Sequence, residues 1–472
     1  MPFSSAYRPE TLHDRLGPEF YDPVEAAAFP VHILRYRNQR QAERLGLGGL
    51  SDDEWIAHFG RFEPLPGSFP QPLALRYHGH QFRHYNPDLG DGRGFLFAQL
   101  RDAEGRLLDL GTKGSGQTPW SRRGDGRLTL KGGVREALAT ELLEALGVNT
   151  SKSFSLIETG ERLIRGDEPS PTRSSVLVRL SHSHIRIGTF QRLAYFEDKT
   201  SLEHLLAHSV AHYLPELDAQ APTQELAPLF LREVINRVAQ MGAQWMVAGF
   251  VHGVLNSDNI NITGESFDYG PWRFAPTFDP KLTAAYFDET GLYAFGRQPD
   301  ALLWNLTRLA ECLLPLATRE PLEEALTAFE PLLQASFAKG FLRRLGLMSA
   351  GGEADAKLIS AFVEFLISTK APFEQCVFDW RGGLASQERA GRSTNAEFYA
   401  QATFEPVFTA MAPFASAPNL RLDHPYFAQT KPCIMIIDEV EAIWAPIAEG
   451  DDWSRFEDKL RDIALMREAY MD

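Results

Sequence analysis

The chain has 472 residues, 44% of them hydrophobic, and carries 47 Lys and Arg against 62 Asp and Glu, for a net charge of −15. That length suits about two to four globular domains with a sizeable core, and the acidic balance weighs against nucleic acid as a main partner, because backbone binding needs a basic face. With no run of about 18 apolar residues, no basic and apolar leader at the N-terminus, and Cys312, Cys376 and Cys433 too far apart for a metal motif or disulfide framework, no membrane span is expected and a cytoplasmic setting is.

Residues 1–75 are rich in proline and aromatics and read as an irregular N-terminal extension with short helices, such as "SDDEWIAHFG". The stretch "PDLGDGRGF" (87–95) alternates Gly90, Gly92 and Gly94 just before a strand. Such a loop lets backbone amides approach a phosphate, because no Cβ stands in the way. A tight turn into the strand explains the same glycines, and Arg93 beside them raises the phosphate reading. From 93 to 113, "RGFLFAQLRDAEGRLLDLGTK" predicts two strands around a turn at Glu104-Gly105.

Next, "GGVREALATELLEALGV" spaces Val134, Leu138, Leu142 and Leu146 four apart, which predicts a helix stopped at Gly147. Lys113 ends the preceding strand and Glu136 sits in this helix, 23 residues on. In a protein kinase a strand lysine reaches the nucleotide phosphates and a helix glutamate holds it. The polar loop between them, with Asp125, Gly126 and Arg127, is long for a strand-to-helix link, and long structured loops tend to be functional.

"KSFSLIETG" and "SSVLVRLSHSHIRIG" return to strand-like patterning and carry Arg179 and Arg186, seven residues apart. A fully extended segment would point them to opposite faces; a turn near Ser181–Ser183 would bring both forks to one anionic site. His182 and His184 read as surface or core histidines. Beyond residue 200 the segments "SLEHLLAHSVAHYL" and "LAPLFLREVINRVAQMGAQWMVAGF", and most of 300–370, read as helices. "KPCIMIIDEVEAIW" (431–444) reads as a strand running into a helix.

The stretch "VHGVLNSDNINITGESFDYG" (251–270) carries the chemistry. A kinase catalytic loop is H-R-D-x-x-x-x-N, followed by a metal-binding D-F-G. His252 matches the His, Asn259 the metal-binding Asn, and Asp268-Tyr269-Gly270 the D-F-G, but Val254 stands where the catalytic base should be. Asn259 and Asp268 offer hard oxygen ligands for Mg²⁺. Asp258 is the remaining carboxylate and serves as base only if the chain turns it toward an acceptor hydroxyl. Taken alone, "NSDN" reads better as an Asx-rich turn.

"YHGHQF", "LGDGR", "KGSGQTPWSRRGDGR", "REAL", "VRLSHSHIRIGTF", "HGVLNSDNINITGESFDYGPW" and "FGRQPDALLWNLTRLAECLLPL" together resemble the selenoprotein O family, the YdiU group, over about residues 75–320. The resemblance implies an α+β, two-lobed pseudokinase fold of the protein-kinase kind. The expected parts are an N-terminal extension (1–75), a strand-rich N-lobe (76–198), a helical C-lobe (199–371) and a mostly helical C-terminal region (372–472). It also implies a flipped ATP and transfer of AMP, or UMP in some members, with Mg²⁺ or Mn²⁺, to Ser, Thr or Tyr hydroxyls of proteins, itself included. Carried over, Gly90, Gly92, Arg93, Lys113, Asp125, Gly126, Arg179, Arg186 and Asp268 would contact nucleotide and Glu136 would orient Lys113. Asp258 would accept the proton, and Asn259 and Asp268 would bind metal. A γ-phosphoryl kinase and a non-catalytic ATP-binding regulator are the alternatives. The chain departs from the family in having His78 and Arg83 where Ala and Gly are usual. It also lacks the family's C-terminal cysteine or selenocysteine, ending "LRDIALMREAYMD", so control by a redox switch is not expected.

Overall fold

The computed structural model describes residues 2–470. Its strands are β1 (Pro9–Glu10), β2 (Tyr21–Pro23), β3 (Ile33–Arg37), β4 (Leu73–Leu75), β5 (Gly79–Gln81), β6 (His84–Asn86), β7 (Leu96–Arg101), β8 (Leu107–Lys113), β9 (Leu128–Thr129), β10 (Lys152–Leu163) and β11 (Thr172–Ser181), with a short late pair, β12 (Phe250–Val251) and β13 (Arg273–Phe274). Nine of them form one antiparallel sheet in the order β2-β4-β7-β8-β11-β10-β3, with β1 on β7 and β9 on β11, while β5 and β6 make a separate hairpin. The β7–β8 turn falls at Glu104-Gly105 as its sequence predicts, with Gly105 at φ +82°.

Residues 2–75 are not an irregular extension. They supply four strands of this sheet, and β3 covers the edge of β10 through Ser155↔Arg37 and Leu156↔Tyr36. These strands are two to five residues long, too short for alternation to show in sequence. Helices α1 (Gln39–Arg44) and α2 (Asp52–Phe59) fill the same segment. In α2, Ser51 and Glu54 close a capping box that satisfies backbone donors at the helix start.

Helix α3 (Leu130–Ala145) lies against the sheet, capped by the Thr129 hydroxyl on Gly132 N–H. Leu138, Leu142 and Leu143 are buried, and so are its polar Glu136, Thr140 and Glu141: Glu136 meets Lys113 and Arg179 of the sheet, Thr140 bonds Ser153 of β10, and Glu141 pairs with Arg467 of the helix Ser454–Tyr470. From residue 187 onward helices dominate: α4 (Ile187–Tyr195), α5 (Lys199–Tyr213), α6 (Thr223–Val247) and α7 (Gln298–Cys312), then Arg319–Thr327, Phe329–Leu345 and Gly352–Thr369. Between α6 and α7 the chain runs through irregular backbone, and residues 251–270 lie in it. The 431–444 stretch contains no strand: residues 431–436 are irregular and the helix is Ile437–Gly450. Its apolar run instead buries Cys433 and Met435 against the core.

Candidate active site

β8 is a fully buried strand that carries charge. Asp109, Gly111 and Lys113 share one face by strand periodicity. Asp109 accepts from Gln99 and from the His184 backbone N–H, both at 2.8 Å. A Cβ on Gly111 would lie 2.2 Å from His184 Nε2, so that position has no room for a side chain.

At the end of the face, Lys113 Nζ pairs with Glu136 at 2.6 Å and with Asp268 Oδ1 at 2.9 Å. Arg179, from β11, reaches the same two carboxylates at 3.5 and 3.0 Å. Two cations and two anions therefore close a ring. Lys113, Glu136 and Arg179 are 0–5% exposed and Asp268 is 26% exposed, so the ring opens only at Asp268. Burial disfavours the Asp268 charge, yet Lys113 and Arg179, with Arg93 and Arg186 beyond them, hold its carboxyl well below the usual carboxylate range. Asp268 sits at φ +62°, a left-handed conformation uncommon for a non-glycine residue and frequent at functional sites.

The turn that carries Asp258 is a 3₁₀ segment, Ser257–Asn259. Arg186 donates to the Asp258 carbonyl at 3.0 Å and to Asp91 Oδ1 at 3.3 Å. Its guanidinium lies 4.3 Å from the Tyr77 ring and 5.0 Å from that of Phe267, and Arg179 lies 5.8 Å from Phe267. The turn after Ser181 thus brings both arginines to one phenylalanine. Asp258 is buried and its Oδ1 has no hydrogen-bond partner among the described residues. Burial, only partly offset by Arg186, raises its carboxyl to about 6.

The β5–β6 hairpin, "YHGHQF" and its continuation, grips this turn. His80 N–H donates to Ser257 Oγ at 2.7 Å, Ser257 Oγ donates to Gln191 at 2.5 Å, and Gln191 returns to His80 Nδ1 at 2.7 Å. Phe82 N–H holds Asn256 at 3.1 Å. A Cβ on Gly79 would stand 2.8 Å from Asp258 Oδ1 and 3.0 Å from Asp258 Cβ, so the backbone itself is the wall behind the carboxyl. Arg83 adopts φ +66°, which accounts for the glycine usual there in the family; in this chain Arg83 lies 5.6 Å from the Trp304 ring.

Asn259 Nδ2 donates to the Val254 carbonyl at 3.1 Å, which turns its amide oxygen away from that bond. His252 bonds the carbonyl of Phe267 at 2.8 Å and so ties the segment before the Asp258 turn to the Asp268 turn. Among the described residues no group of three or more His, Cys, Asp or Glu could hold a metal by itself. Asn259 and Asp268 nevertheless fit a Mg²⁺-like ion that takes few protein ligands and completes its shell with phosphate oxygens and water.

Not every residue singled out in the sequence joins this cluster. Gly90 and Gly92 are explained by packing: a Cβ at Gly90 would lie 2.4 Å from Trp120 Cγ, and one at Gly92 2.8 Å from the Trp120 carbonyl. The loop after β8 therefore closes on the glycine loop, and Arg93 accepts Gly114 N–H at 2.7 Å through its carbonyl while its side chain is exposed. Asp125 turns outward to Arg165 at 2.8 Å, and Gly126 takes φ +69° against Gly116. Asp91, Tyr77, Gln191, Ser257 and Phe267 have no role in the sequence reading. Asp91 and Phe267 had the clearest signal, one an acid between two glycines and the other the residue before Asp268.

A profile of the family described as "Protein adenylyltransferase SelO" matches residues 3–464. The chain belongs to that family. A Synechocystis protein named "Protein nucleotidyltransferase YdiU" is 43% identical over 468 residues, covering 96% of this chain and 97% of its own. Proteins of the same name from Synechococcus elongatus and Gloeobacter violaceus are 46% and 44% identical, over 94% and 96% of this chain. The family is one of nucleotidyltransferase enzymes, and the match extends well beyond the 75–320 stretch where the motifs are densest.

Proposed function

We propose that this SelO-family chain is an ATP-using protein adenylyltransferase on a two-lobed, kinase-like fold. The strand-then-helix order, the Lys113–Glu136 pair linking β8 to α3, and the His252 bond to Phe267 support the fold reading. The lobes would be 76–198, joined by the strands of 1–75, and 199–371, with 372–472 as a further helical region. No helix among the described residues is long and apolar enough to cross a membrane, and a cytoplasmic setting fits the three buried, unpaired thiols.

One observation carries the reaction class. Val254 replaces the base that would serve a γ-phosphoryl group, while the buried Asp258 carboxyl keeps an unpartnered oxygen in the same loop. Asp258 would accept the proton of a Ser, Thr or Tyr hydroxyl as that oxygen attacks the α-phosphorus of ATP. The α–β phosphoanhydride bond breaks and pyrophosphate leaves. Lys113, Arg179 and Arg186, with Arg93 at the rim, would stabilise the charge that builds on the phosphates, Glu136 keeping Lys113 in line. Backbone of Gly90, Gly92 and Gly126, and Asp125 if its loop moves, would complete the nucleotide site. Phosphates that engage Lys113 and Arg179 would release Asp268 from the ring, so that it and Asn259 could hold Mg²⁺ or Mn²⁺. Such an ion supplies Lewis-acid stabilisation of phosphoryl oxygens.

ATP labelled separately at the α and γ positions tests this. The α label should enter protein hydroxyls and the γ label should not. Entry of γ label would make the chain a kinase, and ATP binding without transfer of either label would make it a regulator.

A further inference from the structure

Gln81 and His84 close the β5–β6 hairpin, with Phe82 and Arg83 as its two-residue turn. Both take a positive φ, +49° and +66°. Turns of that kind favour Asn-Gly, because a Cβ in the left-handed region crowds the next carbonyl. Phe82 is held there by contacts: its N–H donates to Asn256 at 3.1 Å, and its ring packs on Tyr293 at 5.0 Å and Phe287 at 5.8 Å. Arg83 has no such hold. Its side chain is exposed, makes no ion pair or hydrogen bond among the described residues, and lies 5.6 Å over the half-buried Trp304 ring of α7. Arg308 meets the same ring at 5.0 Å but is tied to Glu311 at 2.6 Å, so Arg83 is the cation of this ledge without a carboxylate.

The ledge is joined to the Asp258 turn by direct contacts. Trp304 meets His80 edge-on at 5.1 Å, and His80 N–H donates to Ser257 Oγ, next to Asp258, at 2.7 Å. Tyr293, which donates to Asn256 at 2.9 Å, lies within reach of both charges: burial raises its hydroxyl's pKa, and among the smaller influences Asp258 adds to the rise while Arg83 opposes it. Strained backbone under a side chain that stabilises nothing inside the fold points to a partner outside it. We infer that Arg83 is a specificity-determining residue, which receives an acidic side chain of the acceptor protein beside the hydroxyl offered to Asp258. This rests on the adenylyl-transfer reading. A guanidinium fork suits a carboxylate, which it can bind through two parallel hydrogen bonds. A chain of net charge −15 repels acidic segments at long range, so a preference for them requires a local cation, and Arg83 is exposed to supply it.

The experiment offers two fluorescein-labelled peptides of equal length, each with a single serine, flanked in one by glutamates and in the other by lysines. Transfer of α label from ATP reads the reaction, and fluorescence anisotropy reads docking without turnover. The parent chain should label the Glu peptide with kcat/KM about 10-fold above the Lys peptide, the size of one charge-assisted hydrogen bond. Arg83→Gly, which removes the cation and suits the left-handed backbone, should abolish the difference, and Arg83→Glu should invert it. Circular dichroism checks that both variants are folded. A parent that prefers the Lys peptide, as net charge alone dictates, overturns the inference, and so does a Glu preference that survives Arg83→Gly. A raised KM for ATP in Arg83→Gly with the peptide preference intact assigns Arg83 to the nucleotide and overturns it too. In all three cases α-label transfer leaves the adenylyl-transfer reading standing. If ATP binds but no peptide or protein takes α label, that reading fails, and the anisotropy of parent against Arg83→Gly still decides whether Arg83 selects acidic segments.

Discussion

Two rings of four charges invite comparison, because each uses two cations and two carboxylates, one of them an aspartate in the left-handed region. In the active site Lys113, Arg179, Glu136 and Asp268 close one ring, with Asp268 at φ +62°. At the seam between the sheet and the C-terminal helices, Arg35 and Arg173 each bond Glu158 and Asp451, at 2.6–2.9 Å, with Asp451 at φ +53°. β11 supplies an arginine to both. The difference is burial. Asp451 is 50% exposed and its side of the ring is solvated, so each pair to Asp451 contributes about 0–1 kcal/mol. The Lys113 ring is dry except at Asp268, and a buried pair repays its desolvation only while every charge keeps a partner. One ring fastens a helix to the sheet; the other aligns two cations, with one partly exposed carboxylate, Asp268, at its mouth.

The sharpest way to break this contrast is to remove that carboxylate. Asp268→Ala should lower transfer at saturating ATP by about 10³-fold or more, since the ring loses its anion and the proposed metal site loses its carboxylate. Circular dichroism should show a folded protein, and undiminished transfer would take Asp268 out of the mechanism. A smaller effect is expected one shell out. Ser257→Ala opens the His80–Ser257–Gln191 circuit behind Asp258 and should reduce kcat by roughly 10- to 100-fold with KM for ATP unchanged, because the turn is misplaced rather than the nucleotide. Ser257→Thr keeps the hydroxyl and should restore most of the rate; a Thr variant as poor as Ala would show that packing, not the hydrogen bond, matters there.

The seam ring should respond in stability alone. Asp451→Asn should cost about 1 kcal/mol in denaturant unfolding and leave transfer unchanged. Burial pushes the Asp451 carboxyl up, yet hydrogen bonds from Arg173, Trp453 and Arg35 together outweigh it and hold the pKa at about 2, below the ordinary 3.8. A depressed folded value means its contribution is full above about pH 4 and is lost as pH falls through 2. Acid-induced loosening of the seam in that window should therefore be weaker in Asp451→Asn than in the parent. The smallest effect is none at all. Cys312, Cys376 and Cys433 are buried, and burial pushes each thiol up to about 12, so dithiothreitol should leave the transfer rate as it is. Several-fold activation that disappears on replacing one of the three would contradict this.

How much was legible varies by residue. Lys113, Glu136 and Asp268, which the structure joins in one ring, could be singled out directly, because each sits at a fixed distance along the chain from a recognisable strand, helix or turn. The β7–β8 hairpin and α3 were legible for a related reason: both are long enough for their periodicity to show. The strands of residues 1–75 were not, since two to five residues carry no period and their existence depends on β4, β7 and β10 being there to pair with. The apolar run at 432–437 reads as strand by propensity, yet tertiary packing leaves most of it irregular and buries it.

By itself the sequence determined the chemistry available to this protein: a carboxylate at 258 but none at 254, hard oxygen donors at 259 and 268, and arginines at 179 and 186. Only the tertiary structure decided how those groups are paired. Arg186 goes to Asp91 and the Asp258 carbonyl, Asp125 goes outward to Arg165, and Gly79 backs the Asp258 carboxyl. The physical reason is range. Residue type and local spacing act over a turn or a strand, whereas the partner of a charge is set by which chain segments the core brings within about 3 Å of it. For Arg186 and Asp91 those segments are 95 residues apart.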